Sequence, residues 1–420
     1  MKISPLCVLY LLLAPFAVAG LALINTGLCR VRSASLGMLG ALFAASSAAL
    51  AYFAVGCSWQ GFAGGAAHVA WIGGKAWSWI GAEPLMMRGV PFDGSTASLV
   101  AVYGMLAVAV AAVIPMGTGA ERWRLGASCA SAALLAAVTF PLFSHWVWGG
   151  GWLAQLGGNY GMGRGVVDAG GAGAIHGVGG MTALAMAWIL GPRRGKYTRE
   201  GLPAAIPGHS AVLVSLGCMS AWVGWLGLCG AGAMLFGGAE PAQTVLVAVN
   251  LTLSAAAGTL TAGALTRYRF GKVDASFCAN GWVAGLVAAS AGCASIKPAA
   301  AVLAGAVGSA AAIYAIECME MYLSIDDPGG AIPVHGIAGL WGMLLVGLVG
   351  APGQWLPQLV EAATVLGFVL PLAFGMNWAL DRFRRQRVAP ETERQGMDLT
   401  ELGAGAYPDF LTHGEDSWMR

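Results

Sequence analysis

The sequence predicts an all-α polytopic membrane protein built on an inverted internal repeat, and three observations carry that expectation. Apolar residues make up 57% of the 420 positions and charged residues 10%, a balance foreign to a soluble domain. Runs of about 20 apolar residues recur along the chain, each long enough to cross a hydrocarbon core as a helix. Finally, one phrase is used twice. It first runs Asp168-Ala-Gly-Gly-Ala-Gly-Ala-Ile-His176-Gly-Val-Gly-Gly180, then Asp327-Pro-Gly-Gly-Ala-Ile-Pro-Val-His335-Gly-Ile-Ala-Gly339. Each copy opens an apolar run and sets a histidine eight residues in. That is about 12 Å at helical rise, close to half the thickness of the hydrocarbon. Copies entering from opposite faces bring the two histidines together near the midplane.

In chain order, apolar runs occupy residues 5–28, 36–57, 97–116, 125–147, 169–190, 209–231, 243–265, 276–294, 299–323, 332–350 and 357–380, which makes eleven expected spans. The first imitates a signal peptide, with Lys2 ahead of Ile3 to Ile24 and small residues at Ala17–Gly20. The apolar run nevertheless passes Gly20, reaches Leu28 and stops only at Arg30 and Arg32, so a retained first span is expected. The 64 glycines suit close helix packing in lipid. The nine cysteines are scattered without a CxxC pair and read as small core residues, not as a disulfide or zinc framework. A net charge of +2 implies no polyanionic partner such as nucleic acid.

Basic residues set the orientation. Fifteen Lys and Arg fall on one side of the predicted spans: Arg30/Arg32, Arg122/Arg124, Arg193/Arg194/Lys196/Arg199, Arg267/Arg269/Lys272 and Arg382/Arg384/Arg385/Arg387. The other side receives five, namely Lys2, Lys75, Arg88, Arg164 and Lys297. By the positive-inside rule the N-terminus lies outside and the C-terminus inside. An odd number of spans then separates Asp168 from Asp327, so the repeat is inverted, an arrangement that puts substrate sites at the midplane. Residues 1–191 and 209–351 form the two five-helix pseudo-repeats, 357–380 an extra eleventh span, and the whole a membrane domain over 1–381. Residues 382–420 form a polar cytoplasmic tail.

His176 and His335 are the leading functional candidates, because an ionisable group inside a span faces a cavity or a partner. The structural alternative is a pair of imidazoles each bonded to a backbone carbonyl. Their matched places in the repeat argue against that. Two imidazoles could also ligate a metal or haem, but no further Cys, His or carboxylate accompanies them at suitable spacing. A proton relay along a narrow apolar path fits better, and no cofactor or metal is called for. Asp168 and Asp327 precede Gly-rich helix starts and read as structural caps of orphan N–H groups. Asp326 reads as solvated.

The two histidine phrases, VDAGGAGAIHG and IDDPGGAIPVHGIAGLWG, resemble the ammonium transporter (Amt) family of the Amt/Rh superfamily. Further matches follow in order: GLALINTGL, ERWR, HWVWGGG at 145–151, GWLGLCGAG at 224–232, GKVDASFCANGWVAGLV at 271–287 and MDLTELGAGAY at 397–407. The resemblance spans essentially the whole chain. It implies a non-enzymatic ammonium or ammonia transporter of the cell (inner) membrane, an eleven-helix homotrimer with a pore through each subunit. By the same resemblance His176 and His335 become the twin pore histidines, Trp148 the aromatic of the outer recruitment site, Trp225 a pore-lining residue and Asp168 the structural aspartate. The 397–407 segment resembles a regulatory tail, which implies a PII-type nitrogen signalling protein as partner. The alternative function is an ammonium sensor that binds with little transport.

The outer gate departs from the family pattern. Two stacked phenylalanines are replaced by Leu106, where a one-residue length difference blurs the register, and by Leu228. The recruitment serine appears as Gly232 and a neighbouring Asn as Cys229. No Phe occurs between Asp93 and Thr139, and only Tyr103 could partly replace that ring. The expectation is a mouth stripped of π partners and of one hydroxyl, with poor ammonium affinity that Leu228→Phe and Gly232→Ser should restore.

Overall fold

The computed structural model describes residues 5–407. It is helical throughout its membrane-compatible core. Ten helical segments are long and apolar enough to cross a membrane: α1 Pro5–Leu28, α2 Val31–Gln60, α3 Thr96–Gly119, α4 Leu125–Tyr160, α5 Ala172–Leu190, α6 Ala211–Leu235, α7 Pro241–Phe270, α9 Pro298–Tyr322, α10 Ile332–Val349 and α11 Trp355–Phe383. A shorter apolar helix, α8 Ala275–Ser290, lies between α7 and α9. Every apolar run read from the sequence therefore coincides with a helix. Residues 1–4 and 408–420, which include Lys2 and the end of the expected tail, lie outside the described residues.

Glycines decide how closely these helices pack. A Cβ on Gly224 would fall on the backbone of Ala17, and one on Gly20 would fall on Ala221. Helix α1 is thus locked against α6, backbone to backbone. Close approach of this kind replaces the hydrophobic drive that lipid cannot supply. The same device joins α7 to α8 at Gly258 and Gly281, and α9 to α7 at Gly305.

The internal repeat is visible in the geometry. Both α5 and α10 begin with a π-helical turn, Ala172–Gly177 and Ile332–Ile337, and each turn carries its histidine. A Cβ on Gly180 would collide with Gly336, whereas one on Gly339 would meet the Ala172 carbonyl at 2.8 Å. Moving backward along α5 from 180 to 172 corresponds to moving forward along α10 from 336 to 339. The two helices therefore run in opposite directions where they cross.

One element has no counterpart among the expected spans. Strands β1 Ala67–Ile72 and β2 Lys75–Gly81 form an antiparallel hairpin. Its turn is Gly73-Gly74, both at positive φ (59° and 73°), the pair that a tight two-residue hairpin requires. Ser78 of β2 meets His145 (Oγ to Nε2, 2.9 Å), whose Nδ1 lies 2.8 Å from the Gln60 carbonyl. That histidine ties the hairpin to α2 and α4, a structural role.

At the opposite end from the hairpin, loops and tail form a charged layer. Asp326 is buried, which corrects the expectation of a solvated carboxylate. Its Oδ2 accepts from Arg193 N and Nε at 2.8 and 2.9 Å, and its Oδ1 from Arg193 Nη2 at 3.0 Å. Burial alone would raise its pKa, but the Arg193 hydrogen bonds and the charges of Arg122 and Arg193 pull it down to about 2. Arg193 also binds Glu121 at 2.8 Å. The tail folds back over this layer. Asp398 accepts from Ser35 N and Leu36 N at 2.9 and 2.8 Å, at the start of α2, and Glu393 accepts from Arg194 N at 2.6 Å.

Candidate transport site

The site is built where α5 and α10 cross. His176 and His335 are 1% and 3% exposed, and their Nδ1 atoms stand 3.2 Å apart. The ring of Trp225, from α6, lies parallel to His176 at 5.0 Å between centroids with 3° between planes. Its indole N–H has no partner among the described residues. Among those residues, too, no third His, Cys or carboxylate joins the pair to complete a metal site.

The aspartates hold the two π-turns in place. Asp168 accepts three backbone N–H groups, from Ala172 (2.6 Å), Gly173 (3.0 Å) and Ala174 (2.9 Å). Asp327 accepts from Ile332 N at 2.7 Å and from the Thr118 hydroxyl at 2.6 Å. Each carboxylate thus satisfies orphan donors at the positive end of a helix. Capping fixes where the turn starts, and so the depth of the histidine eight residues on.

One face of helix α6 runs from the pair toward Trp148. Trp225, Leu228, Gly232 and Phe236 recur at steps of three, four and four residues, which places them on one face, about one turn apart. The last of these is not among the expected site residues, and it corrects the picture of a mouth without π partners. Phe236 stacks on Trp148 at 4.7 Å between centroids and 6° between planes. Tyr103 stands edge-on to both, at 5.3 Å from Trp148 and 5.1 Å from Phe236. Leu106 is half-buried in the surrounding packing, and Tyr103, three residues earlier, supplies the ring. The only signal in the sequence is an apolar stretch ending in Phe236. That residue sits one position past α6, where no helical pattern points to it.

Trp148 owes its position to a break in α4. The first part of that helix ends at Val147, Gly150 takes φ +78°, and a short helix resumes at Trp152. The indole Nε1 then donates to the Asp168 carbonyl at 2.7 Å. Trp148, Phe236, Asp168 and Ala169 line a cavity of about 550 Å³ that also takes in Arg164 and Gln354. From Gln354 a buried polar row, Gln354–Gln358–Glu361, runs along α11. Only the first of the three reaches the cavity.

The Ammonium Transporter Family model matches residues 6–407. The chain belongs to the ammonium transporter family. A relative from Archaeoglobus fulgidus, described as ammonium transporter Amt2, is 35% identical, with 95% of this chain and 86% of the relative covered. The Haloferax mediterranei protein of the same description is 31% identical, covering 96% and 90%. Among solved structures, one described as a sensor Amt protein superposes with a TM-score of 0.84 at 26% identity, over 94% of this chain and 97% of that one. The Candida albicans Mep2 structure gives 0.79 at 25% identity, over 96% and 90%. The family is one of multi-pass membrane transporters and not of enzymes, so the paired histidines stand in a transport fold.

Proposed function

We propose that the protein carries ammonium across the membrane by admitting the ion at the cavity beside Trp148, stripping its proton and passing ammonia along His176 and His335. The observation that carries this reading is the imidazole pair, packed under Trp225 where the two half-repeats cross. A bare cation in a low-dielectric passage is very costly, whereas neutral ammonia crosses at modest cost. A pair of imidazoles offers ammonia both a donor and an acceptor, and can hand a proton along between its two rings. Asp168 and Asp327 are structural in this scheme. Trp148 recruits, while Trp225, Leu228 and Leu106 line the path.

The reading takes α1 to α11 as eleven spans, with the N-terminus outside and the C-terminus inside, in the cell (inner) membrane. Residues 1–381 form the membrane domain, with pseudo-repeats at 1–191 and 209–351. The functional unit is a homotrimer in lipid. Residues 382–420 form the regulatory end, through which a PII-type nitrogen signalling protein acts. Truncation from Gly396 should change flux and abolish pull-down of that partner. Unchanged flux and pull-down remove the regulator from the scheme.

Transport itself is tested by uptake of labelled methylammonium, or by ammonium-dependent charge movement, in proteoliposomes. Wild type should give a saturable signal that His176→Ala loses. Saturable ammonium binding with no movement of label or charge would instead favour a sensor, the role ascribed to one structural neighbour.

A further inference from the structure

Among the described residues, Glu361 on α11 is the one buried acid inside a span, and the transport scheme does not use it. An ionisable group is costly in such a place and points to function by default. Its Oε2 accepts from Gln358 Nε2 at 3.1 Å, while Oε1 has no partner among the described residues. Nor does any Lys, Arg or His among those residues form an ion pair with it. A carboxylate here would set a full charge in the span against a single N–H. The carboxyl also bears on the π-turn that carries His176. A Cβ on Gly173 would fall 2.6 Å from Glu361 Oε1 and 2.8 Å from the Met343 sulfur. The acid therefore fills the place of a side chain at 173. One turn further along α11, Val365 meets the Cβ position of Gly177 at 3.3 Å. Residues 173 and 177 bracket His176, so α11 presses on the turn at both sides of the histidine. The titratable groups nearby are His176 and Asp168, whose Oδ2 accepts from Gly173 N at 3.0 Å. Helix α10 presents only the neutral Met343, and α11 itself the neutral Gln358.

We propose that Glu361 is a proton-binding site that gates the pore: as a carboxylic acid it seats the π-turn of α5, and as a carboxylate it unseats it. The inference deepens the transport reading above and rests on it. The neutral acid fits against Gly173 and the Met343 thioether, and so holds His176 against His335. When its O–H bond breaks, the proton leaves to water drawn from the outer cavity along the Gln354–Gln358 row, whose two amides meet at 3.1 Å. The negative charge stays on the carboxylate, with one donor and with the Asp168 carboxyl across Gly173. Like charges repel and an under-solvated carboxylate draws in water, so both effects push the turn away from α11. Glu361 is thus a positioning residue, which touches neither ammonium nor ammonia.

The substitution that separates this from a packing role is Glu361→Gln, which keeps the neutral shape but cannot titrate. Full-length wild type and variant are placed in proteoliposomes with labelled methylammonium at a constant concentration of the cation, from neutral to alkaline pH. Titration of Asp168 and of the histidine pair is common to both proteins, so the difference between them reports Glu361. Each uptake is referred to its own value at neutral pH. The infrared band of a protonated carboxylic acid should be present in wild type at neutral pH, weaker in the variant by that group, and should fade as pH rises. One pH unit above the midpoint of that fading, wild-type uptake should stand about tenfold below the variant's. Should Glu361→Gln fail to fold, wild type alone decides through a hydrophobic carbodiimide, which adds to protonated acids. Peptide masses should show Glu361 labelled at neutral pH, with labelling and uptake falling together as pH rises. No acid band or label at Glu361 overturns the proton site. A band or label that persists to the alkaline end, or uptake that falls equally in both proteins, overturns the gate. Absent uptake in wild type sinks the transport reading alone, and the band and label then still decide the proton site.

Discussion

The Nδ1 atoms of His176 and His335 face each other at 3.2 Å, so only one of the two rings carries its proton on that nitrogen. The other ring, if neutral, must be protonated on Nε2. The neutral pair therefore shows one Nε2–H and one bare Nε2 at its outer edges, and that polarity reverses when a proton is taken up at the bare Nε2, the shared proton passes between the Nδ1 atoms and the other Nε2 gives up its own. Because the two share one hydrogen bond, their replacements should not add. His176→Ala and His335→Ala should each cut charge-coupled transport about a hundredfold, and the double variant should lose little more. Proteoliposome currents check this, and independent, multiplying losses would mean that the rings do not act together.

Asp168 is legible in the sequence as a cap, and the structure gives it three backbone N–H donors. Asp168→Asn turns one acceptor oxygen into an NH2 group facing those donors. The cost should be about 1–3 kcal/mol, seen as a lower melting temperature in detergent, with the π-turn and His176 displaced. A fully stable and active Asp168→Asn would show that charge and acceptor count at this cap are unimportant.

Much of the fold is readable in the sequence because lipid imposes simple rules. All eleven apolar runs are helices, and the repeated phrase forms two capped π-turns with matched histidines. The outer layer is harder to read, for reasons of chemistry at single positions. Matching Leu106 and Leu228 to missing rings assumes that each ring must come from its own helix position. Phe236 stacks on Trp148 from just beyond α6, and Tyr103 reaches the same spot from three residues before Leu106. The hairpin escapes detection because its Trp-rich strands are too short and too mixed in exposure to stand out, although Gly73-Gly74 marks its turn. Asp326 looks solvated because its partner Arg193 is 133 residues away.

The Asp326–Arg193 pair predicts an acid limit to stability. Its folded pKa is depressed from 3.8 to about 2. The contribution is therefore fully present above the unfolded value and disappears as pH falls through the folded one. That amounts to about 2 kcal/mol, lost between about pH 4 and pH 2. Asp326→Asn leaves Arg193 buried and poorly paired, and should cost about 3–5 kcal/mol at neutral pH. Thermal melts across pH should show the gap between wild type and variant narrowing toward pH 2. A gap that is constant with pH would mean the carboxylate is not ionised in the folded protein.

Topology follows from the basic residues. Single cysteines at Arg194 and Arg384 should resist impermeant reagents applied to sealed cells, while one at Arg164, which lines the cavity beside Trp148, should react. Outside labelling at Arg384 would place the C-terminal end on the wrong side and break the eleven-span scheme.

On sequence alone, Gly232→Ser restores a missing hydroxyl and tightens ammonium binding. The structure argues the reverse. A Cβ at Gly232 would fall on the Ala169 carbonyl, nearer than any carbon–oxygen contact allows, and beside the Tyr103 hydroxyl at 2.9 Å. The first obstacle is backbone, held by the bond from Ala169 N to the Ala291 carbonyl at 3.0 Å, so it cannot turn aside as a flexible side chain would. Helix α6 must then move away from the Asp168 loop, at a cost of about 1–3 kcal/mol for overpacking. That movement would carry Phe236 off Trp148, because Phe236 lies only one turn from the collision. Gly232→Ala provides the control, having the same Cβ without the hydroxyl. Both variants should melt lower than wild type by a similar amount, and neither should lower the half-saturation for methylammonium uptake. If Gly232→Ser proves as stable as wild type and binds ammonium more tightly than Gly232→Ala, the serine position is open after all. The close approach of α6 to Ala169 would then not be what selects glycine there.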